Sequence, residues 1–501
     1  MHGIFQDSLQ FKVLPIESIE FVSLEFAFFF LAFLPLYWAA AKSPRTQNLL
    51  LLAATFGWLA LLNPAFAAVL GFYALFVALI GRQIQDARLA YPDDERAGRP
   101  WLVVGIAGSL VHLALYKYAE CLRTLMPGGL QNGMVELLLP LGLSYYTFQS
   151  ITYMVAVYRG RIQPWPWYEV PLFLGFFPTI SSGPIWRADD SKSVAGRHPG
   201  ADAQLHGEQA REMIRPALAL ILILWGVAKI WWLAGWLEEN HVKPVFAEPA
   251  DHDVFSVLVA VYGFTVQLYL NFSGHADVAI GLAMLLGFRL PPNFAAPFLA
   301  HNLRDFWNRW HISLSTWIRD YIYIPLGGSR CGFGRTQLNV TIAMTLSGVW
   351  HGAAWTFVLW GLIHGLGMAA LNCGDRFFGG RDRLAALGRA GRRLGIVATL
   401  SFVAFSFLVF RCGTLGEVGE VLAALTVHAQ WQIPAFADLL CACLLPIALF
   451  CLPLAPTLFD RFARTLERMP VGVWCLPLAA AVFFLLIVAP SGVPGFIYAN
   501  F

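Results

Sequence analysis

Apolar runs with few or no charged residues, each long enough to cross a lipid bilayer as a helix, recur from the beginning of this sequence to its end. The first is Phe21–Ala41 and the last is Val471–Val488. A spanning helix needs about 20 predominantly apolar residues. Charged residues make up 13% of the 501 residues, whereas a soluble globular protein carries roughly 25%. We therefore predict an all-α polytopic membrane protein with about 11–13 membrane segments, including re-entrant helices around a central funnel.

Cations beside the first run indicate which of its ends faces the cytoplasm. Lys42 and Arg45 follow the run, and short cytoplasmic loops are enriched in Lys and Arg. The N-terminus is therefore predicted to be periplasmic, with the protein in a bacterial inner membrane and in contact with its lipids. Residues 1–20 lack the basic segment that opens a cleavable signal peptide, so none is expected. The net charge of +3 is too small to indicate a nucleic-acid partner.

Two apolar stretches are predicted to enter and leave the membrane on the same side. Val170–Trp186 contains three prolines and has cations on both flanks. Irregular backbone at membrane depth is tolerated where protein or a water-filled cavity surrounds it, so this stretch is predicted to line a cavity. A surface amphipathic helix is the alternative. Ala276–Phe288, which is short and flanked by cations, is predicted to be a second half-helix, and Glu238–Asp253 an acidic outer loop.

The whole chain, 1–501, is predicted to form a single membrane domain. N-terminal helices are expected over 21–168, a core with the re-entrant elements over 169–375, and C-terminal helices over 376–501. The eight cysteines lack the spacing of metal ligands and are interpreted as small apolar residues. No metal ion and no permanently bound cofactor is expected.

The stretch Asn302–Gly328 mixes charged and aromatic residues. A solvated loop does not need so many aromatic side chains, and a spanning helix does not tolerate so many charges. We therefore predict an amphipathic helix at or inside a membrane funnel; a helix that only binds lipid headgroups is the alternative. Asp305 and Arg309, and likewise Ser315 and Arg319, are four residues apart and are expected to pair. One face of the predicted helix carries Trp307, Trp310 and Trp317.

His351 lies in Asn339–Asn372, a predicted apolar hairpin whose only ionisable side chains are histidines. An imidazole at membrane depth is costly and marks a functional site by default, and it is suited to proton transfer near neutral pH. Gly348 and Gly352 flank it and permit the close approach of a backbone or a slender substrate. The alternative is a structural histidine that is hydrogen-bonded between helices, which is also our interpretation of His364.

Five sequence segments, in order, carry a resemblance to a known family. The segments are Pro140–Gln149, Phe176–Ile185, Phe272–Gly281, Trp307–Gly328 and Ser347–Gly352. Together they resemble the membrane-bound O-acyltransferase family over nearly the whole chain, and within it the branch that O-acetylates bacterial polysaccharides such as alginate. One such segment alone would be a weak indication, whereas five in order are specific.

The resemblance implies an acyltransferase whose invariant histidine is His351. The second family position, which is His or Asn, falls on His311. The branch usually shows Phe-Ser-Gly-Tyr-Ser-Asp where this chain has Phe272–Asp277, so Asp277 is retained and His275 replaces the tyrosine. Either His275 tunes the acceptor pocket or the exchange is neutral. The candidate residues for binding the donor or the substrate are Asp277, Asp305, Trp307, Arg309, Arg319, Tyr321 and Trp350.

The implied reaction moves an acetyl group from cytoplasmic acetyl-CoA across the membrane for O-acetylation of an exopolysaccharide of the alginate or cellulose type. Acyl transfer to a hydroxyl needs a base and a donor to the oxyanion; His351 is the predicted base and His311 its helper. The cationic stretches Arg304–Arg335 and Arg376–Arg393 are expected to hold the phosphates of the donor. The implied partners are a periplasmic esterase-like acetyltransferase subunit and a polysaccharide synthase complex.

Other functions remain open on the sequence alone. The same fold could transfer a D-alanyl group to teichoic acid, or acylate a lipid or a protein. A non-enzymatic polysaccharide transporter or flippase would need acidic groups at mid-membrane, for which Glu25 and Asp277 are the main candidates. A non-catalytic scaffold for a synthase would tolerate apolar residues in place of His351 and His311.

Overall fold

Helices make up nearly all of the regular structure of this protein. The structure is a computed structural model, and it describes residues 23–119, 139–189, 191–193, 196–207, 210–380, 386–427, 429 and 433–488. Within these residues the strands form one short antiparallel ribbon, in which β1 (Ser191–Ser193) pairs with β2 (Gly196–His198). The predicted all-α class is confirmed. Of the predicted first run, Phe21 and Val22 lie outside the described residues.

Seven helices in the described part of the chain are long and apolar enough to cross a membrane. Two shorter apolar helices, Glu25–Ala39 and Val471–Leu485, add to them. These helices confirm a polytopic membrane protein; the predicted number of segments also counted re-entrant elements. The seven are Pro64–Ala90, Arg99–Lys117, Pro216–Ala247, Val254–Leu285, Trp355–Phe378, Gly388–Arg411 and Phe436–Leu466.

One compact unit comprises the described residues up to Leu113, with 139–181 and 201–212. Asn63 ends one helix and caps the next, where its side-chain oxygen accepts a hydrogen bond from the Ala65 N–H. Proline follows at the first helical position, which needs no N–H. The helices are α1 (Leu24–Ala39), α2 (Pro44–Leu62), α3 (Pro64–Ala90), most of α4 (Arg99–Lys117), α5 (Leu143–Tyr158), α6 (Glu169–Gly175) and α7 (Ala201–Leu205).

The first part of the predicted re-entrant stretch is buried within this unit. Residues 169–180 are all buried and continue from α6 into irregular backbone. The Glu169 carboxylate is 2.5 Å from Nε2 of His206. Hydrogen bonds with Asp202 and Glu169 raise the pKa of His206 to about 10, although burial opposes them. A broken, fully buried segment agrees with a re-entrant element and not with a surface amphipathic helix, which would leave one face exposed.

The second compact unit comprises the described residues of 114–119, 182–200 and the chain from Met213 onward. A large buried cluster in this unit joins aromatic residues of several helices, among them Phe264, Trp310, Trp360 and Phe407. Its helices are α8 (Pro216–Ala247, with π-helical turns at Ala228–Ala234 and Glu238–Val242), α9 (Val254–Leu285), α10 (Leu303–Trp307), α11 (Ile312–Ile318), α12 (Phe333–His351), α13 (Trp355–Phe378), α14 (Gly388–Arg411), α15 (Leu415–Leu425), α16 (Phe436–Cys451), α17 (Ala455–Leu466) and α18 (Val471–Val488).

The predicted half-helix Ala276–Phe288 is wrong, because α9 is one continuous helix of 32 residues. Gly274 does not interrupt it. This glycine instead allows α8 to pack closely, since a Cβ there would lie 2.8 Å from the Gly226 carbonyl oxygen. Helix α8 also continues to Ala247, so the first part of the predicted acidic loop is helical.

The predicted single amphipathic helix over Asn302–Gly328 is also wrong. The stretch consists of α10, α11 and a π-helical turn at Arg319–Tyr323. His311, between the two α-helices, has a φ of 42°, in the left-handed region that no right-handed helix can contain. Trp307 and Trp317 therefore lie on different helices and not on one continuous face.

The two side-chain pairs predicted in this stretch have different outcomes. Asp305 accepts a hydrogen bond of 2.6 Å from Nε of Arg309, which confirms the first pair. The Ser315 hydroxyl instead donates to the Trp310 carbonyl at 3.0 Å, and Arg319 bonds the aspartate that follows it. The second pair fails because spacing by four brings side chains together in a regular α-helix, and the helix changes to π geometry at this point.

Candidate active site

His351 is the last residue of α12, directly before the tight connection to α13. It is 3% exposed. The two helices cross closely, because a Cβ on Gly348 would lie 2.2 Å from the Phe357 carbonyl oxygen and 3.1 Å from Cα of Gly361. Only glycine fits at such a crossing. The predicted close approach of a backbone next to His351 is therefore that of α13.

Aromatic rings enclose the imidazole of His351. The ring centroids of Trp350, Phe410, Trp360 and Phe357 lie 4.6, 4.9, 5.2 and 6.2 Å from its own. Phe410 and Trp360 meet it edge to face, at 85° and 88°. This packing fixes the plane of the imidazole and limits the access of bulk water, as a positioned general base requires.

His311 occupies a strained backbone position between α10 and α11, at a φ of 42°. Strained conformations of non-glycine residues cost on the order of 1–3 kcal/mol and cluster at functional sites. The side chain is 1% exposed, and neither ring nitrogen has a hydrogen-bond partner among the described residues. Its ring packs against the edge of Phe272 at 4.5 Å. Buried polar groups are normally bonded, so open ring nitrogens are suited to a ligand contact.

His311 and His351 lie beside the same group of aromatic side chains. Trp310, the residue before His311, is 5.2 Å from Phe407, and Phe407 is 6.3 Å from Phe410, which contacts the His351 ring. His351 contacts Trp360, which belongs to the buried cluster that also contains Trp310 and Phe407. His364 contacts the same tryptophan, but its Nε2 lies 2.9 Å from the Ser406 hydroxyl. That bond agrees with the structural interpretation of His364.

A cavity of about 910 Å³ lies along α12. It follows the helix from Phe333 to Met344, a length of about 16 Å, and ends about 10 Å of helix before His351. Ile312 and Ser315, which lie close to His311 in the chain, line it as well. Its size suits a cofactor-sized ligand. Three arginines from the two predicted cationic stretches line it: Arg304, Arg319 and Arg376.

The candidate binding residues of the 302–328 stretch lie in different surroundings. Trp307 and Arg319 line the cavity. Asp305 and Arg309 are paired with each other. Tyr321 stacks on a neighbouring tryptophan at 5.1 Å and is not among the cavity-lining residues. Two of these five candidates are therefore placed to meet a ligand in the cavity.

The remaining candidates lie outside the cavity lining. Trp350 contacts His351 directly. Asp277 is paired with Lys229, with Oδ2 and Nζ 2.7 Å apart. His275 is buried on α9, two residues before Asp277. The ion pair that Asp277 makes between α9 and α8 thus gives a structural reason for an aspartate at this position.

The region that holds both histidines and the cavity matches a family profile. Residues 115–410 match the profile of the membrane-bound O-acyltransferase family. The chain belongs to this family. It is therefore an acyltransferase, as its resemblance implied.

Several O-acetylating enzymes are similar to this acyltransferase over most of its length. The probable alginate O-acetylase of Pseudomonas aeruginosa is 31% identical and aligns with 82% of this chain and 76% of its own. The probable alginate O-acetylase of Azotobacter vinelandii is 32% identical, and the alignment covers 82% of this chain and 79% of that enzyme. A peptidoglycan O-acetyltransferase of Helicobacter pylori is 26% identical, and the alignment covers 79% of this chain and 78% of that enzyme.

Two residues of the candidate site were not identified from the sequence. Lys117 ends α4, with Nζ 5.1 Å from the ring centroid of Trp350. Asp375 lines the cavity and pairs with Arg304. In the sequence, a lysine after an apolar run indicates only topology, and Asp375 stands at the edge of a basic stretch. No local signal connects either residue to the histidines.

Asp277 is expected to stabilise the acyltransferase through its ion pair. Nζ of Lys229, whose side chain is 5% exposed, also donates to the Ser273 hydroxyl at 2.9 Å. Breaking such a pair leaves a buried charge uncompensated, at a cost of about 3–5 kcal/mol. We expect Asp277→Leu to lower the Tm of the detergent-solubilised protein by several degrees, and the double change Lys229→Met/Asp277→Leu to restore most of it.

The double variant also tests the predicted ligand role of Asp277. If Asp277 binds the donor, the double variant regains its Tm but its KM for the donor stays raised. A wild-type KM in the double variant would exclude that role. Thr265→Val is the matched control on α9, because this buried hydroxyl bonds only the Val261 carbonyl of its own helix.

Proposed function

We propose that this acyltransferase moves an acetyl group from cytoplasmic acetyl-CoA across the membrane for O-acetylation of a polysaccharide. The relatives named for O-acetylation of alginate and of peptidoglycan align with 82% and 79% of the chain, which supports acetyl as the group and a glycan as the acceptor. The observation that carries the proposal is the arginine-lined cavity that follows α12 toward His351, with Ile312, the residue after His311, in its lining.

The chemistry of the cavity supports a thioester donor that carries phosphates. Guanidinium groups bind phosphate with paired N–H donors. The guanidinium of Arg376 lies 4.4 Å over the ring of Phe333, an arrangement that leaves its N–H edges available. Further along the cavity, Asn372 donates to Gln337 at 2.8 Å, so amide groups line the route taken by the slender arm of the donor.

The surroundings of the two histidines support distinct roles in the transfer. The acceptor oxygen attacks the thioester carbonyl carbon while His351 takes its proton, so a C–O bond forms and the carbonyl becomes an oxyanion. The C–S bond then breaks, and the thiolate leaves with the proton held by His351. His311, whose ring nitrogens lack partners among the described residues, donates an N–H to the carbonyl oxygen.

The acceptor lies on the side of the membrane opposite to the donor. In this proposal the protein is in the inner membrane with a periplasmic N-terminus, and the polymer is an exopolysaccharide of the alginate or cellulose type. A periplasmic esterase-like subunit receives the acetyl group and passes it to the polymer, beside a polysaccharide synthase complex. The hydroxyl that enters the site then belongs to that subunit or to the glycan.

D-alanyl transfer is the second candidate function. The teichoic acid D-alanyltransferase of Bacillus subtilis is 28% identical but aligns with only 54% of this chain. Purified protein that releases free thiol from acetyl-CoA in the presence of a glycan, and retains the acetyl group on the glycan, supports acetyl transfer. Absence of transfer from acetyl-CoA, with transfer from a D-alanyl thioester, would overturn it.

Arg319→Ala and Arg376→Ala are each expected to raise the KM for acetyl-CoA about tenfold. Each change removes one charge-assisted contact with a phosphate, which is worth roughly 1.5–3 kcal/mol before screening. The assay follows radiolabelled acetyl transfer by protein in detergent at low salt, and kcat is expected to change less than KM.

Arg464→Ala provides the matched control for the two cavity variants. Its side chain is 58% exposed, pairs with Asp460 on α17 and does not line the cavity. We expect a wild-type KM for this variant, and a smaller difference between variants at high salt because screening weakens phosphate contacts. An unchanged KM in both cavity variants would remove this cavity as the donor site.

A further inference from the structure

Lys117 ends α4 beside His351, and its positive charge has no counter-charge in the described part of the chain. The last turn of α4, from Ala114, belongs to the same compact unit as His351. Lys117 makes neither an ion pair with a carboxylate nor a hydrogen bond among the described residues. Its ammonium instead lies over the ring of Trp350, 5.1 Å from the centroid.

The end of α4 contacts the end of α12 at successive residues. The Tyr118 hydroxyl donates to the Val349 carbonyl, one of the last carbonyls of α12, which have no partner within the helix. Trp350 contacts Lys117 on one side and His351, at 4.6 Å, on the other. The ammonium is therefore held within the immediate surroundings of the predicted base.

An ammonium among apolar groups is costly unless an anion meets it. The described residues offer Lys117 no carboxylate, whereas acyl transfer creates a negative charge on the thioester carbonyl oxygen. We propose that Lys117 is a further catalytic residue, whose ammonium stabilises the oxyanion formed during acyl transfer at His351. This inference rests on the proposed function.

The role of Lys117 leaves the proton balance of the reaction unchanged. As the acceptor oxygen bonds to the carbonyl carbon, the C=O π electrons move onto the carbonyl oxygen, and an N–H of Lys117 donates to it. When the C=O bond re-forms, the C–S bond breaks and the thiolate takes the proton from His351. Lys117 stays protonated throughout and exchanges no proton with the substrates.

Lys117→Met is expected to lower kcat by about 100-fold while the KM for acetyl-CoA stays within about threefold of wild type. Methionine keeps the length of the side chain and removes its charge. Lys117→Arg retains a cation and is expected to recover kcat to within about tenfold of wild type. Lys243→Met is the matched control, because Lys243 is 61% exposed and pairs with Glu239.

Tyr118→Phe separates the charge of Lys117 from the mechanical attachment of α4. It removes the bond to the Val349 carbonyl and keeps the ammonium. A loss of kcat in Tyr118→Phe as large as in Lys117→Met would overturn the inference, since α4 would then act by holding α12. Lys117→Gln provides a second uncharged variant if Lys117→Met is not monodisperse in detergent.

A pair of acceptors tests which negative charge Lys117 meets. Neutral cello-oligosaccharides and carboxylate-bearing oligouronates are compared, each at its own saturating concentration. An equal loss of kcat with both supports the oxyanion role, and a loss confined to the oligouronate overturns it in favour of carboxylate recognition. If Lys117→Met keeps full activity while His351→Ala has none, this inference alone fails and the proposed function stands.

Discussion

The His351→Ala variant is expected to lose at least about a thousandfold of acetyl-transfer activity while it reaches the membrane at wild-type levels. The imidazole is the predicted base, and it lies at the end of α12 among four aromatic rings. Alanine removes the base without adding volume or charge. The measurement is acetate released by mild alkali from purified exopolysaccharide, together with transfer by the purified protein.

His364→Gln is the matched control for this experiment. His364 is equally buried, contacts Trp360 as His351 does, and bonds Ser406. Glutamine keeps a hydrogen-bonding group there, so we expect most of the activity to remain. His351→Gln keeps polarity but not the base, and is expected to be as inactive as His351→Ala. Retained acetylation in His351→Gln would exclude His351 as the base.

The Gly348→Val variant is expected to lose both activity and stability. A Cβ at this position would lie 2.2 Å from the Phe357 carbonyl oxygen and 3.1 Å from Cα of Gly361. Both neighbours are backbone atoms of α13, so the helices must separate, at a cost of about 1–3 kcal/mol or more. His351 follows three residues later and moves with α12. We expect a Tm several degrees lower and a loss of kcat of at least about a hundredfold.

Gly334→Ala on the same helix shows whether this effect is specific to the crossing. A Cβ at Gly334 meets nothing within 4 Å, and alanine is the better helix former by about 1 kcal/mol. We expect wild-type activity and an equal or higher Tm. If Gly348→Val behaves like Gly334→Ala, then the close crossing of α12 and α13 does not position His351.

Hydrophobic pattern and local breaks predicted most of the helices. The run Val471–Val488, predicted from its apolar composition, has the same bounds as α18. Ala276–Phe288 failed because the stretch continues α9 without a break, and Gly274, just before it, permits close packing on α8. A glycine in an apolar run has both meanings, and only its tertiary neighbour distinguishes them.

The candidate site was predictable from the sequence where a residue's chemistry is unusual for the residues around it in the chain. His351 stands out because an imidazole in an apolar stretch is costly. The cavity was predictable only in part, since it combines Arg319 of one cationic stretch with Arg376 of another across a long segment of chain. Lys117 was missed because a single lysine near the end of an apolar run does not reveal which side chains it contacts. Proximity to Trp350 arises from tertiary packing and leaves no trace in the local sequence.

The left-handed backbone at His311 explains which residue types this position admits. Its φ of 42° suits few side chains other than glycine, and Asn and His are among those most enriched there. The family resemblance gives this position as His or Asn, the same pair. The residue types possible at position 311 are therefore limited by the backbone conformation as well as by the chemistry of the side chain. His311→Asn is expected to preserve the bend between α10 and α11 and to remove only the imidazole. His311→Ala changes both the backbone preference and the side-chain chemistry, so its effect cannot be assigned to either one.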